Sequence, residues 1–284
     1  MSENPFMRAA ESSSDPTRAS RQEWGLVFAV LLLYILLRWV AGPLPQWLDY
    51  HDFADTRVLG FVPRAGDVPS SLAILAAGLW SASLWHRVGV SRDERPAFRL
   101  LVTGAILTAF GSAYYHWEPS NARLVWDRLP LALLLTAIVS LVLADRVTPA
   151  FGRAALLPVG SLAVGSVGLW GLTEAFGRGD LWLYLIVRVG ASIGILVLLI
   201  MRRSRYTAAA LVWTAVACDG LETAAEHFDW QIWRLTGGVV SGHNLKHLFA
   251  GAVIACVSGW LLQRRLVRTR GDHRIESGVA PVYP

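Results

Sequence analysis

Cysteine and lysine are almost missing from this chain. Two of its 284 residues are Cys and one is Lys, and charged residues make up 17%, well below the quarter usual in soluble domains. Cys218 and Cys256 both fall within apolar stretches, where a free cysteine behaves as a small hydrophobe, and no C-x-x-C pair offers a thiolate metal or redox centre. The shortage of charge excludes a soluble domain with one core. The net charge of +5 therefore has no basic soluble domain to sit on, which excludes nucleic acid as a partner. With Arg supplying nearly all the positive charge, the composition is that of a high-GC bacterial genome.

What is abundant is apolar: 54% of the chain is hydrophobic. These residues gather in blocks of about 20, the length a helix needs to cross a hydrocarbon layer. Eight such runs cover 23–42, 68–86, 99–117, 127–144, 154–175, 180–201, 206–227 and 244–263. They are continuous rather than alternating, so the expected fold is an all-α polytopic membrane protein and not a barrel. The expected organisation is a flexible cytoplasmic tail (1–22), an extra N-terminal transmembrane helix (23–42), an acidic exterior loop (43–67), a seven-helix core (68–263) and a cytoplasmic C-terminal tail (264–284). Assigning the connections alternately to two sides puts seventeen Arg on one side and six on the other, with Arg38, Arg188 and Lys246 inside the runs. The positive-inside rule then makes both termini cytoplasmic, with the chain in the bacterial inner membrane. The first run follows a basic segment as a signal peptide would. Its length and the weak cleavage site in "WVAGPLPQW" favour a retained helix, and either way the other seven keep their orientation.

Polar residues converge at one level of this layout. Run 99–117 ends with Ser112 and His116, four apart and so on one helical face; Asp127 opens the next helix; His243 and His247, also four apart, open the last. The i, i+4 pair is the spacing by which a helix presents two ligands to one metal ion. Three neutral imidazoles leave one position of a tetrahedral zinc for water, whose pKa can fall to about 7. Asp127 could hold or deprotonate that water, and Ser112 could donate to the oxyanion formed on an attacked carbonyl. Each residue also has a plainer reading: histidines as interfacial anchors, Ser112 as a small packing residue, Asp127 as a helix cap or a partner of Arg123 or Arg128. Ionisable groups at membrane depth are costly, and five reaching one level from three helices favours a site.

The pattern Ser-x-x-x-His in "SAYYH", Asp127 eleven residues after that His, and His-x-x-x-His in "HNLKH" resembles the alkaline ceramidase family, grouped with the adiponectin receptors among seven-helix membrane hydrolases. The likeness covers about residues 49–263 and leaves 23–42 as an addition. It implies an intramembrane zinc amidase in which His116, His243 and His247 hold the metal, Asp127 orients or deprotonates the water and Ser112 assists the tetrahedral intermediate. The substrate would be a ceramide-like N-acyl lipid reaching the site sideways from the bilayer. Eukaryotic members carry a calcium-binding acidic segment before the first core helix. Here "DYHDFAD" offers Asp49, Asp52 and Asp55 as oxygen ligands for Ca2+, with Arg64 near the place of a later family Glu; a solvated acidic loop is the alternative.

Among the remaining polar residues, Arg188 is expected to pair with Glu174. Lys246 is expected to face away from its flanking histidines and snorkel to the interface. Glu222, Glu226, His227 and Asp229 approach the same edge, with His227 a weak fourth ligand. Trp117, Trp126, Trp182, Trp230 and Trp233 fit an aromatic belt. Two function classes stand: a zinc-dependent lipid amide hydrolase, and a non-enzymatic zinc-binding membrane receptor or structural protein on the same scaffold. A haem protein using two of the histidines would leave Ser112 and Asp127 without a task.

Overall fold

In lipid an apolar run satisfies its own backbone hydrogen bonds only by coiling. The computed structural model describes residues 16–267, and among these every regular element is helical, apart from two isolated bridges. In chain order they are α1 (Pro16–Ala41), a 3-10 turn (Leu48–His51), α2 (Asp67–Ser83), α3 (Arg95–Trp117), α4 (Asn121–Arg146), α5 (Pro149–Ala175), α6 (Trp182–Met201), α7 (Ala210–His227), α8 (Asp229–Leu235) and α9 (Gly242–Gln263). Six helices, α1, α3, α4, α5, α6 and α9, are long and apolar enough to cross a membrane. Their outward faces carry exposed large apolar residues such as Phe28, Phe110, Leu157 and Ile200. The chain is an integral membrane protein. The other two expected spans are less clear-cut, since α2 has only 17 residues and α7 carries Asp219, Glu222 and Glu226, although both pack along α9.

The helices form a ring in which α5 packs on α4, α4 on α3, α3 on α2, α2 on α9 and α9 on α7. α6 is held more loosely, and its contact with α7 is the lightest in the wall. The main apolar core lies between the helices away from the histidines and includes Phe98, Leu101, Leu141, Ile254 and Trp260. At the histidine end α3 and α4 come together at Gly111, where a Cβ would strike the Trp126 carbonyl oxygen and lie 3.2 Å from Asp127 Cα. A small residue at that point is what lets the two backbones touch.

Several boundaries differ from the sequence reading. α4 starts at Asn121, six residues before its apolar run, because the Ser120 side chain accepts from Arg123 N and caps a polar first turn. Asp127 is therefore not a cap. α1 starts at Pro16, inside the stretch expected to be a flexible tail, and the rest of that tail lies outside the described residues. At the other end Arg264 is no part of a loose tail: it forms a fully buried pair with Glu94 at 2.8 Å, and only residues beyond 267 lie outside the description.

The added first helix is tied to the bundle by one buried acid that its apolar pattern does not reveal. Asp180 accepts from Tyr34 Oη at 3.3 Å, meets Arg38 Nε at 3.1 Å and accepts from the Leu44 and Trp182 amides. Trp182 Nε1 donates to Gly42 O at 3.0 Å, closing the same corner.

Candidate metal centre

The first turn of α9 is built by its sequence start. Ser241 and Asn244 form a reciprocal capping box, which satisfies two of the amides a helix start leaves open. Asn244 Nδ2 and Ser241 Oγ then donate to one oxygen of Asp67, at 2.6 and 3.3 Å, joining α9 to the start of α2. Asp229 accepts from His243 N at 2.7 Å and from Ala54 N at 2.9 Å, so one carboxylate holds both α9 and the 43–66 loop. Gly242 permits this, because a Cβ there would strike the Ala225 carbonyl oxygen and lie 2.7 Å from Asp229 Cα.

On that frame His243 and His247 project from successive turns of α9 toward His116 in the last turn of α3. All three are buried, and their ligand nitrogens lie within 4.8 Å of one another. Among the described residues this is the one group of three or more His, Cys, Asp or Glu placed to hold a metal ion. His116 Nε2 and His243 Nε2 face each other at 3.0 Å, and Ser112 Oγ lies 3.1 Å from His247 Nε2. Ser112 in turn accepts from Ser71 Oγ at 3.2 Å.

These atoms fit a metal. Tetrahedral zinc with nitrogen ligands at about 2.0–2.1 Å sets those nitrogens about 3.3 Å apart. Two facing imidazole nitrogens otherwise require one ring to donate to the other, while His116 Nδ1 is buried with no partner at all. The tautomer of His247 follows from its neighbours. Ser70 Oγ donates to Asp67 O at 2.9 Å and so accepts from His247 Nδ1, 2.7 Å away, which leaves the Nε2 lone pair directed at the cluster. A metal-binding histidine is ordinarily held this way through its other nitrogen.

The 43–66 loop closes the site from above. Phe53 is wedged against the cluster, its ring centroid 4.8 Å from that of His116 and 4.5 Å from that of His243. Beside it Tyr115 Oη lies 2.8 Å from His51 Nδ1, and His51 Nε2 lies 2.8 Å from Asn121 Oδ1. Phe53, Ser70, Asp67 and His51 all contribute here, and none stands out by spacing; Asp67 and Ser70 come from the first turn of α2, His51 from the 3-10 turn and Phe53 from the loop after it.

Ser112, His116, His243 and His247 thus come together. Asp127 sits in the second turn of α4, half-buried, against the α3 turn that carries Ser112, and makes no hydrogen bond among the described residues. It is not one of the grouped ligand residues. Asp49, Asp52 and Asp55 are not gathered: the first two are exposed, while buried Asp55 is engaged by Arg57 through Nε at 2.9 Å and Nη2 at 2.7 Å. His227 is exposed, meets Phe228 edge-on and is not grouped with the other histidines.

Three charge assignments are corrected. Arg188 pairs with Asp219 of α7 at 2.8 Å, and Ser192 bridges the two, because that face of α6 turns toward α7. Glu174 instead accepts from Asn121 Nδ2 at 2.7 Å. Lys246 does not snorkel, since α7 presents Glu226 to it at 2.5 Å. Tyr50 also donates to Glu226, at 3.1 Å; burial, and then that carboxylate, push the phenol well above its ordinary pKa, so it stays a donor.

No protein-family model, curated protein or solved structure matches the chain.

Proposed function

We propose that the protein is an intramembrane zinc-dependent hydrolase that cleaves the amide bond of a ceramide-like N-acyl lipid, as the resemblance to the alkaline ceramidases implies. The observation that carries this reading is the buried triad of His116, His243 and His247 with the Ser112 hydroxyl against one of its ligand atoms. Three neutral imidazoles are a donor set for zinc that leaves a position free.

His116, His243 and His247 would hold a zinc ion, which would lower the pKa of water toward neutral and polarise a carbonyl. The chain's residues do the rest. Asp127, beside the Ser112 turn and free of other hydrogen bonds, takes a proton from the attacking water and passes it to the leaving nitrogen. A carbon–oxygen bond forms, the carbon–nitrogen bond breaks, and a fatty acid and an amine leave. Ser112 donates to the carbonyl oxygen as negative charge gathers on it. Phe53 keeps bulk water off the histidines from the loop side.

The reading offers the acyl chain an apolar lining. Away from the histidines a small, partly open apolar cleft runs between α4, α6, α7 and α9 and is lined by Leu135, Ile138, Ile195, Val212 and Val253. It adjoins the loosely closed α6–α7 side, which suits lateral access from the bilayer. The arginine asymmetry supports a site toward the exterior face of a bacterial inner membrane with both termini cytoplasmic.

The test is zinc content and fatty-acid release from N-acyl lipids by detergent-purified protein. Wild type is expected to carry stoichiometric zinc and to turn over. Asp127→Asn is expected to keep its zinc and lose about 10²–10⁴-fold in rate. Zinc without any release would leave the receptor reading, and a wild type that takes up no zinc would sink both.

A further inference from the structure

Arg128 differs from the other buried arginines. Arg264 pairs with Glu94 and Arg146 with Asp145, and the half-buried Arg188 pairs with Asp219. Arg128 is 5% exposed, and among the described residues no carboxylate comes within ion-pairing distance of it. Its Nη2 donates to Gln46 Oε1 at 2.9 Å, while its Nη1 is buried with no acceptor. The guanidinium is held among aromatic rings, with Cζ 4.4 Å from the Trp170 centroid, 4.5 Å from Tyr184 and 5.4 Å from Tyr50.

A buried cation without an anion is costly, and ring faces compensate only part of that cost. The rings do fix the fork in place and leave the Nη1 amino group without an acceptor, a donor that a carboxylate can take. The position is linked to the metal centre by one layer of side chains. Arg128 follows Asp127 directly, and its Tyr50 and Trp170 belong to the same apolar cluster as Tyr115 and Phe53, whose rings meet His116 tilted and edge-on. Lys246, the cation between the two α9 histidines, is already neutralised by Glu226.

Resting on the amide-hydrolase reading, we propose that Arg128 binds a carboxylate on the amine half of the substrate. The lipid taken here is then an N-acyl amino acid type of compound rather than a neutral ceramide. The acyl chain lies in the apolar cleft, the amide meets the histidines, and the carboxylate completes the coordination of the buried guanidinium. A compact anion is required, since the ring cage and Gln46 already occupy most of the guanidinium's surroundings.

The experiment is equilibrium binding of N-palmitoylglycine, N-palmitoylethanolamine and palmitate to the zinc-loaded full chain, with hydrolysis of the two amides followed separately. Wild type is expected to bind N-palmitoylglycine at least tenfold more tightly than the neutral amide. Arg128→Gln should abolish that ratio without changing zinc content, and Arg128→Lys should restore part of it. Equal affinity for the two amides in wild type overturns the proposal even if the variants do not fold. Palmitate binding as tightly as N-palmitoylglycine, with the same loss in Arg128→Gln, assigns the arginine to the product and overturns it as well. If the tenfold ratio holds but neither amide is cut, the anion site stands and the hydrolase reading falls. If both are cut with equal affinity, the reverse is true.

Discussion

The two ends of the helix bundle treat buried charge in opposite ways. At the end away from the histidines charges come in pairs. Arg264 meets both oxygens of Glu94 at 2.8 and 2.9 Å and gives its other donors to Gly89 O, and Ser91 N also donates to Glu94. Asp145 pairs with Arg146 and accepts from Ser204 Oγ and Arg205 N. At the histidine end Arg128 has no acid, one oxygen of Asp67 and Nδ1 of His116 have no partner, and two imidazole nitrogens face each other. Single unpartnered atoms occur at the other end too, Ser91 Oγ and Arg146 Nη2 among them, so the contrast lies in the kind of group: the histidine end holds a cation without an acid and imidazole nitrogens that face one another. One end locks its charges in pairs; the other suits the metal and substrate proposed above.

The sharpest way to break this contrast is to damage the locked end. Glu94→Gln leaves the fully buried Arg264 guanidinium without its counter-charge. Removing one partner of a buried pair costs about 3–5 kcal/mol, and a thermal or denaturant melt in detergent should show a loss of that size. Zinc content in the surviving folded fraction should not change. A variant that lost zinc while keeping its melting temperature would show that the two ends are not separate in function.

The next effect belongs to the histidine end. Ser70→Ala removes the acceptor that orients His247 through Nδ1, at 2.7 Å, without touching any ligand atom. Outer partners of metal-binding histidines are worth about 10–100-fold in metal affinity, and competition with a zinc chelator should show a drop in that range with little change in melting temperature. An unchanged affinity would mean that packing alone holds the His247 ring.

Much of this was legible in the residues, for reasons that differ between elements. The long apolar runs stand out because lipid demands unbroken stretches, and the i, i+4 pairs 112/116 and 243/247 stand out because one helix sets both members. What could not be read are pairings between elements. Arg188 and Glu174 looked like partners by depth, but the rotation of α6 about its own axis turns Arg188 to Asp219 instead. Lys246 looked bound for the interface until α7 brought Glu226 to it. Phe53 reaches the histidines from a loop with no periodic signal, and only the folded path of 43–66 places its ring there.

The smallest effect concerns the added helix, where the same lesson applies to a single acid. Asp180, 2% exposed, gathers Tyr34 and Arg38 from α1, the amide of Leu44 just beyond it and the amide of Trp182 at the start of α6. Two of these contacts are long, at 3.3 and 3.4 Å, and the Arg38 side chain is 45% exposed, so solvent screening discounts the ion pair. Asp180→Asn keeps an acceptor and removes the charge, and should cost about 1 kcal/mol. The readout is local: faster proteolysis between 42 and 47 in the variant than in wild type, with zinc content and chelator competition unchanged. Loss of zinc in Asp180→Asn would instead make α1 part of the metal centre's support, joining the two regions that its position at the outside of the bundle keeps apart.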